Sequence, residues 1–359
     1  MLATSPHVLV VGAGIVGASL AYELGRQRAR VTLLAKAPQL TTVTANSFAW
    51  LTTGYGQDEA IVAFRQAALR EWHRVEQELS GRLAIEWSGA LRWFTDSPAT
   101  ERFANRLLTA GYPVHLLSPA QVRALEPHLK AVPAHALFAP EEGALDARRA
   151  TEVLLQAAQA AGATVQLGNE VRALLTSDSR VTGVMTTTGP LRADLVVLAA
   201  GVTSAELVQS LGLTLPLAAS PAILLRLHTP HRFVQRVVST PEWEIRAASP
   251  TQLLAAADYV AASGANSPSA IAQRTLRNLQ AQWRRTEHLR LEQVAVGQRP
   301  MPRDGLPIVG HVAGVDGLYL AGMHAGVTLA VLVGRLAATE IVRQQEQALL
   351  APYRLTRFA

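Results

Sequence analysis

Gly12, Gly14 and Gly17 stand at G-x-G-x-x-G spacing, after the apolar run HVLVV (7–11) and before a helical pattern, ASLAYELGRQR. Between a strand and a helix, the first glycine permits a tight turn and the second lets the backbone approach a pyrophosphate. The third lets helix and strand pack closely. The phosphate charge would rest at the positive helix N-terminus, beside Ile15 and Val16. In other settings the same spacing is only a packing turn, so the strand–turn–helix context is what makes it a dinucleotide site.

An acidic residue is expected about 20 residues further on, at the end of the second strand, to hydrogen-bond the adenosine ribose. RVTLL (30–34) instead runs into Ala35 and then Lys36. An alanine side chain accepts no hydrogen bond. Three readings follow: backbone or water holds the ribose, Lys36 faces a 2′-phosphate, or the site has lost its cofactor.

Arg299 lies in GQRPMPRDGLPIVG, beside a proline-rigid turn. That setting suits bidentate capture of a carboxylate, although a surface arginine has the same signature. His324 follows GLYLAGM and precedes AGVTLA. It is either an acid–base group or a satisfied buried histidine. The helix start at Gly326, Val327 and Thr328 would point amides at an anionic group. No Ser/His/Asp order, metal-ligand cluster or carboxylate pair stands out.

These residues need elements to hold them. HVLVV, the glycine turn, a helix and RVTLL form a βαβ unit within about thirty residues. An amphipathic helix is expected over 58–79, strand tendency over 83–94, and short helices over 99–111 and 119–126. A second α/β segment starts near Asp146: helix 148–161, strands 164–167, 170–176 and 181–186, strand 193–199 ending in Ala200–Gly201, and helix 204–211. Residues 215–259 read as β-rich, 267–286 as helix and 327–347 as the last helix. The expected organisation is an α/β nucleotide-binding domain (1–80, 145–215 and 295–359) interrupted by a second, β-rich domain (81–144 and 216–294).

Composition narrows the function. The chain has 359 residues, 49% of them hydrophobic, enough for a sizeable core. It has no cysteine, which excludes disulfides, thiolate-bound zinc or iron–sulfur centres and thiol nucleophiles. The net charge is +6, and Lys36 and Lys130 are the only lysines among 33 basic residues. The arginines are scattered rather than gathered on a patch, so no nucleic-acid partner is expected. The apolar stretch 306–336 holds His311, Asp316, His324 and several glycines, which argues against a transmembrane segment. The N-terminus lacks a basic region and a cleavage site, so a cytoplasmic protein is expected.

Taken together, the segments resemble the FAD-dependent D-amino acid oxidase superfamily, which includes glycine oxidase, sarcosine oxidase and D-amino acid dehydrogenase. The resemblance lies in VLVVGAGIVGASLAYELGRQRARVTLL, ANSFAWL (45–51), LDARRATEVLLQAAQAAGATVQLGNEVRAL with ADLVVLAAGVTS, VGQRPMPRDGLPIVG with GLYLAGMHAGVTLAVLVGRLAATEIV, and PYRLTRF. It implies a Rossmann-like, glutathione-reductase-type FAD domain with an antiparallel substrate domain set into it. Gly12, Gly14 and Gly17 would meet the FAD pyrophosphate, Asn46 and Ser47 would lie near it or near the flavin, and Val171 would meet the adenine through its backbone. Ala200 and Gly201 would line the cofactor, and Gly322, His324 and Gly326 to Thr328 would border the isoalloxazine. Arg299 would grip a substrate carboxylate and Arg246 would line the pocket.

The reaction so implied is hydride transfer from a small amino acid or amine to the flavin N5, leaving an imine that water hydrolyses. A cysteine-free chain cannot form a cysteinyl link, so the FAD would be non-covalent. Ala35 stands where the family carries glutamate. It motivates an alternative, a catalytically weak or partner-dependent subunit of a heteromeric dehydrogenase; a homo-oligomer is equally compatible. A third reading, an NADP-binding reductase, rests on Lys36.

Overall fold

The computed structural model describes residues 5–40, 43–54, 59–257, 259 and 266–359. HVLVV becomes a strand, β1 (His7–Val11), followed by helix α1 (Ile15–Arg26) and strand β2 (Arg30–Ala35). The run lacks alternation because both faces of β1 are covered. Val8 and Val10 join one core cluster, while Leu9 and Val11 join another across the sheet.

β1 sits inside a nine-stranded sheet. Its parallel centre runs Val315–Gly322, Leu195–Leu198, β1, β2 and Thr164–Leu167. An antiparallel meander formed by Val171–Ser177, Arg180–Thr186 and Gly189–Arg192 extends one edge. α1 packs with Ala147–Ala160 and Gly326–Arg343 over one face.

The second sheet has eight strands and is antiparallel except where Val237–Ser239 runs parallel to Ala90–Arg92. Its longest pair joins Leu217–His228 to Arg290–Pro302. Its core holds Phe233, Trp243 and Trp283.

The sequence-based border at 294–295 falls inside Arg290–Pro302, which pairs with Leu217–His228 along nearly its whole length. Strand pairing carries the apolar run at 293–297 through to Pro302. The stretch 306–336 makes two antiparallel strands and a helix. The helix expected over 58–79 spans Glu59–Glu78, and Asp58 lies outside the described residues.

One buried acid makes the second sheet's region pH-sensitive. Glu126 is fully buried and accepts from the amides of Gln235 (3.0 Å) and Arg236 (2.7 Å). Burial, only partly offset by those amides and by Arg236, pushes its carboxyl up to about 7. The fold therefore prefers the neutral acid. Stability from this group is full below the ordinary carboxylate range and is lost as pH rises through about 7. Glu126→Gln keeps an acceptor for both amides and cannot ionise. The variant is expected to exceed the parent by on the order of 2 kcal/mol at pH 8.5 and to match it near pH 5. Thermal melts at the two pH values check this, and a pH-independent difference would refute it.

Candidate active site

A cavity of about 1040 Å³ runs between the C-terminal ends of β1 and β2 and the eight-stranded sheet. Ligands of open α/β sheets collect at such strand ends. Gly12, Gly14, Ile15, Val16, Ala35, Lys36, Asn46, Ser47, Val171, Ala200 and Gly201 line it. So do Arg299, His324, Gly326, Val327 and Thr328.

The glycines explain the cradle. Gly12 adopts φ +113°, and a Cβ there would sit 2.4 Å from the Ala199 carbonyl oxygen. Gly17 does not touch the cavity; a Cβ on it would lie 1.9 Å from the Gly12 carbonyl oxygen, so it allows α1 to close on the turn. Gly14 is the helix N-cap and has no side-chain cap of its own. The first-turn amides thus face the cavity, with the Ile15 amide making only a long contact (3.4 Å) to Thr44 Oγ1. Asn46 and Ser47 follow in a turn over this helix end, where the Ser47 hydroxyl accepts from the Ala49 amide.

Arg299 and His324 meet on the wall formed by the second sheet and the last helix. Arg299 donates to Ser220 Oγ (3.1 Å) and the Pro221 carbonyl (3.2 Å), and its NH1 lies 3.5 Å from His324 Nε2. Its Nε is buried with no hydrogen-bond partner among the described residues. Burial, then the charges of Arg299 and Arg65, push the His324 pKa down to about 4, so the ring is neutral at pH 7. Beside it, the helix Gly326–Arg343 opens without a side-chain cap. The Thr328 hydroxyl pins this helix start by donating to the Trp50 carbonyl (3.1 Å).

Two expected residues sit elsewhere. Arg246 does not line the cavity; its guanidinium donates to the carbonyls of Phe48 (2.6 Å), Leu145 (2.8 Å) and Ala247 (3.1 Å). It staples three chain segments, and burial lowers its pKa to about 10, which leaves it charged at neutral pH. Which face of its strand met the cavity was not legible from local sequence. Gly322 also lies off the cavity, ending its strand against Leu217.

The sequence reading missed other wall residues. Arg65, Arg92, Trp93, Phe94 and Phe103 line the cavity. Arg92 donates to the Gly54 carbonyl (2.8 Å) and lies over the rings of Trp50 (4.7 Å) and Phe103 (5.2 Å). Close by, the buried Glu142 accepts from Thr52 Oγ1 and the Thr53 amide, each at 2.9 Å. Burial raises its pKa and Arg92 opposes that rise. An arginine inside the apolar run ALRWF was the only sequence signal for this group. Among the described residues no cluster of metal-binding side chains exists, and no helix is long and apolar enough to cross a membrane.

A family model described as FAD dependent oxidoreductase matches residues 7–340. The chain belongs to this family. It is 27% identical over 370 residues to a glycine oxidase of Geobacillus kaustophilus, covering 98% of this chain and 96% of that protein. It is 25% identical over 415 residues to a D-amino acid dehydrogenase of Allorhizobium ampelinum, covering 98% of each. The fold matches the crystal structure of glycine oxidase from Geobacillus kaustophilus with a TM-score of 0.87 at 24% identity, over 98% of this chain and 99% of that one.

The protein is accordingly an FAD-dependent oxidoreductase, and its residues suit the cofactor. The uncapped α1 N-terminus and Gly14 leave room and positive potential for a pyrophosphate. The uncapped Gly326–Arg343 helix offers the same at the Arg299 end. The reading of Lys36 as a 2′-phosphate ligand meets an obstacle, because its ammonium is ion-paired to Glu170 at 2.7 Å. A phosphate there would face a carboxylate.

Proposed function

We propose that the chain oxidises the C–N bond of a small amino acid or secondary amine, with FAD held non-covalently. The observation that carries this is Arg299 on the wall of the cavity that the glycine cradle also lines, its terminal nitrogens held by Ser220 and the Pro221 carbonyl beside His324. A guanidinium edge presents two parallel donors that match a carboxylate. In this reading the nine-stranded sheet's part of the chain holds the cofactor and the eight-stranded sheet supplies the substrate wall. The names of the glycine oxidase and D-amino acid dehydrogenase relatives support the same substrate class.

FAD supplies a two-electron acceptor for the hydride leaving the substrate carbon. The chain's own residues orient and desolvate. Arg299 fixes the carboxylate, and Ser220 and the Pro221 carbonyl fix Arg299. Trp93 and Phe94 give the cavity an apolar wall. His324 can accept a hydrogen bond from Arg299 but, with a pKa near 4, is a poor proton acceptor. The substrate amine therefore arrives neutral, having given its proton to solvent. The amides at the uncapped helix start at Gly326 stabilise negative charge nearby.

The purified protein should be yellow and should bleach anaerobically with at least one amino acid or N-alkyl amino acid. Protein that stays colourless and ignores added FAD would end the proposal. The bleaching rate should rise with pH along the substrate amine's own titration. His324→Gln should change its height without adding or removing an inflection between pH 5 and 8. An inflection near 6.5 that vanishes in the variant would show that the imidazole takes the proton.

A further inference from the structure

The ribose-binding acid expected at the end of β2 is Ala35, yet a carboxylate stands over that strand end. β2 pairs with Thr164–Leu167 so that Ala35 lies opposite Leu167. The turn that follows folds back over β2, with the Gly168 amide donating to the Ala37 carbonyl. Glu170 comes next. Its amide donates to Thr187 Oγ1 (3.2 Å) and its carbonyl accepts from the Thr187 amide (2.9 Å), so its backbone is held at both ends. Its side chain reaches Lys36, the neighbour of Ala35, at 2.7 Å, and Ala35, Lys36 and Glu170 all line the cavity.

We propose that Glu170, aimed by Lys36, has taken over recognition of the adenosine ribose from the position that Ala35 vacates. Lys36 engages Oε1, and the Arg172 guanidinium stands 4.0 Å from Oε2. Oε2 is thus able to accept from a ribose hydroxyl, while the Lys36 ammonium retains donors for a ribose oxygen. The pair offers an acceptor and a donor side by side, as a sugar hydroxyl requires. The same carboxylate repels a 2′-phosphate, so the arrangement selects an unphosphorylated adenosine. As a mere surface ion pair it would contribute little, since the Lys36 side chain is 79% exposed. A conserved fold with a relocated carboxylate explains why the motif looks incomplete along the sequence and complete in space.

This inference rests on the FAD reading above, and the test separates the two. The apoprotein is titrated with FAD and with the FAD analogue carrying 2′-deoxyadenosine, following flavin fluorescence. Glu170→Gln is expected to weaken FAD about tenfold, as for a lost charge-assisted hydrogen bond. It should leave the deoxy analogue nearly unaffected and the melting temperature of the apoprotein unchanged. Adding A35E to E170Q should restore most of the lost affinity. Equal FAD affinity in parent and E170Q overturns the proposal. So does an equal loss for both ligands, or a double variant that recovers nothing. A parent chain that binds neither ligand refutes the FAD reading itself.

Discussion

Arg299→Ala is expected to raise KM for a carboxylate substrate about a hundredfold, with FAD affinity and melting temperature unchanged. The magnitude follows from the contact. A charge-assisted, two-pronged guanidinium–carboxylate pair in a water-poor cavity is worth about 2–4 kcal/mol, because truncation leaves the carboxylate desolvated and unpaired. The side chain is suited to that loss falling on substrate alone. Its protein contacts are to one hydroxyl, one carbonyl and, at 3.5 Å, the His324 ring, and its Nε has no partner to lose. Arg299→Lys should recover only part of the affinity, since an ammonium cannot present the fork. Steady-state kinetics beside an FAD titration decide the matter. A KM shift below threefold would remove the carboxylate from Arg299. A parallel loss of FAD would place the residue on the cofactor instead.

Gly17→Ala should damage the fold, whereas Gly14→Ala should damage only cofactor binding. A Cβ at Gly17 would stand 1.9 Å from the Gly12 carbonyl oxygen. Both partners are backbone, so no side chain can turn aside and α1 must lift from β1. The cost is on the order of 3 kcal/mol or more, a fall of roughly 4 °C or more in Tm for a chain of this length. At Gly14 the added carbon would meet only Thr44 Oγ1, at 3.1 Å, on a side chain that can rotate. Its apoprotein should melt near the parent, while FAD weakens tenfold or more because the methyl group crowds the phosphate cradle. Melting curves of both apoproteins and FAD titrations give the comparison. Equal Tm losses would mean that the two glycines do the same job.

The two glycines also show what is readable without a structure. Their roles depend on backbone within thirty residues, where strand, turn and helix follow one another directly. Local spacing therefore implies local geometry. The same holds for β1, whose unbroken apolar run signals burial on both faces, and for the helix start at Gly326. Arg299 and His324 were legible only through the company of their segments, since neither residue type is decisive alone.

Arg246 and Arg92 mark the limit. Each lies in a short strand of the eight-stranded sheet, where successive side chains alternate between faces. Which face meets the cavity depends on how the sheet sits against residues 44–54, far away in sequence. Arg246 turned to carbonyls at Phe48 and Leu145, while Arg92 turned to the cavity. Glu170 shows the same limit in the opposite sense. Counting residues from the glycine motif finds Ala35 and an absence; only the pairing of β2 with Thr164–Leu167 brings a carboxylate back to that place. The sequence by itself determined the βαβ cradle, the two-sheet division in outline and the family. The tertiary structure decided which charged groups share the cavity, because strand register and side-chain direction, not spacing along the chain, set those neighbours.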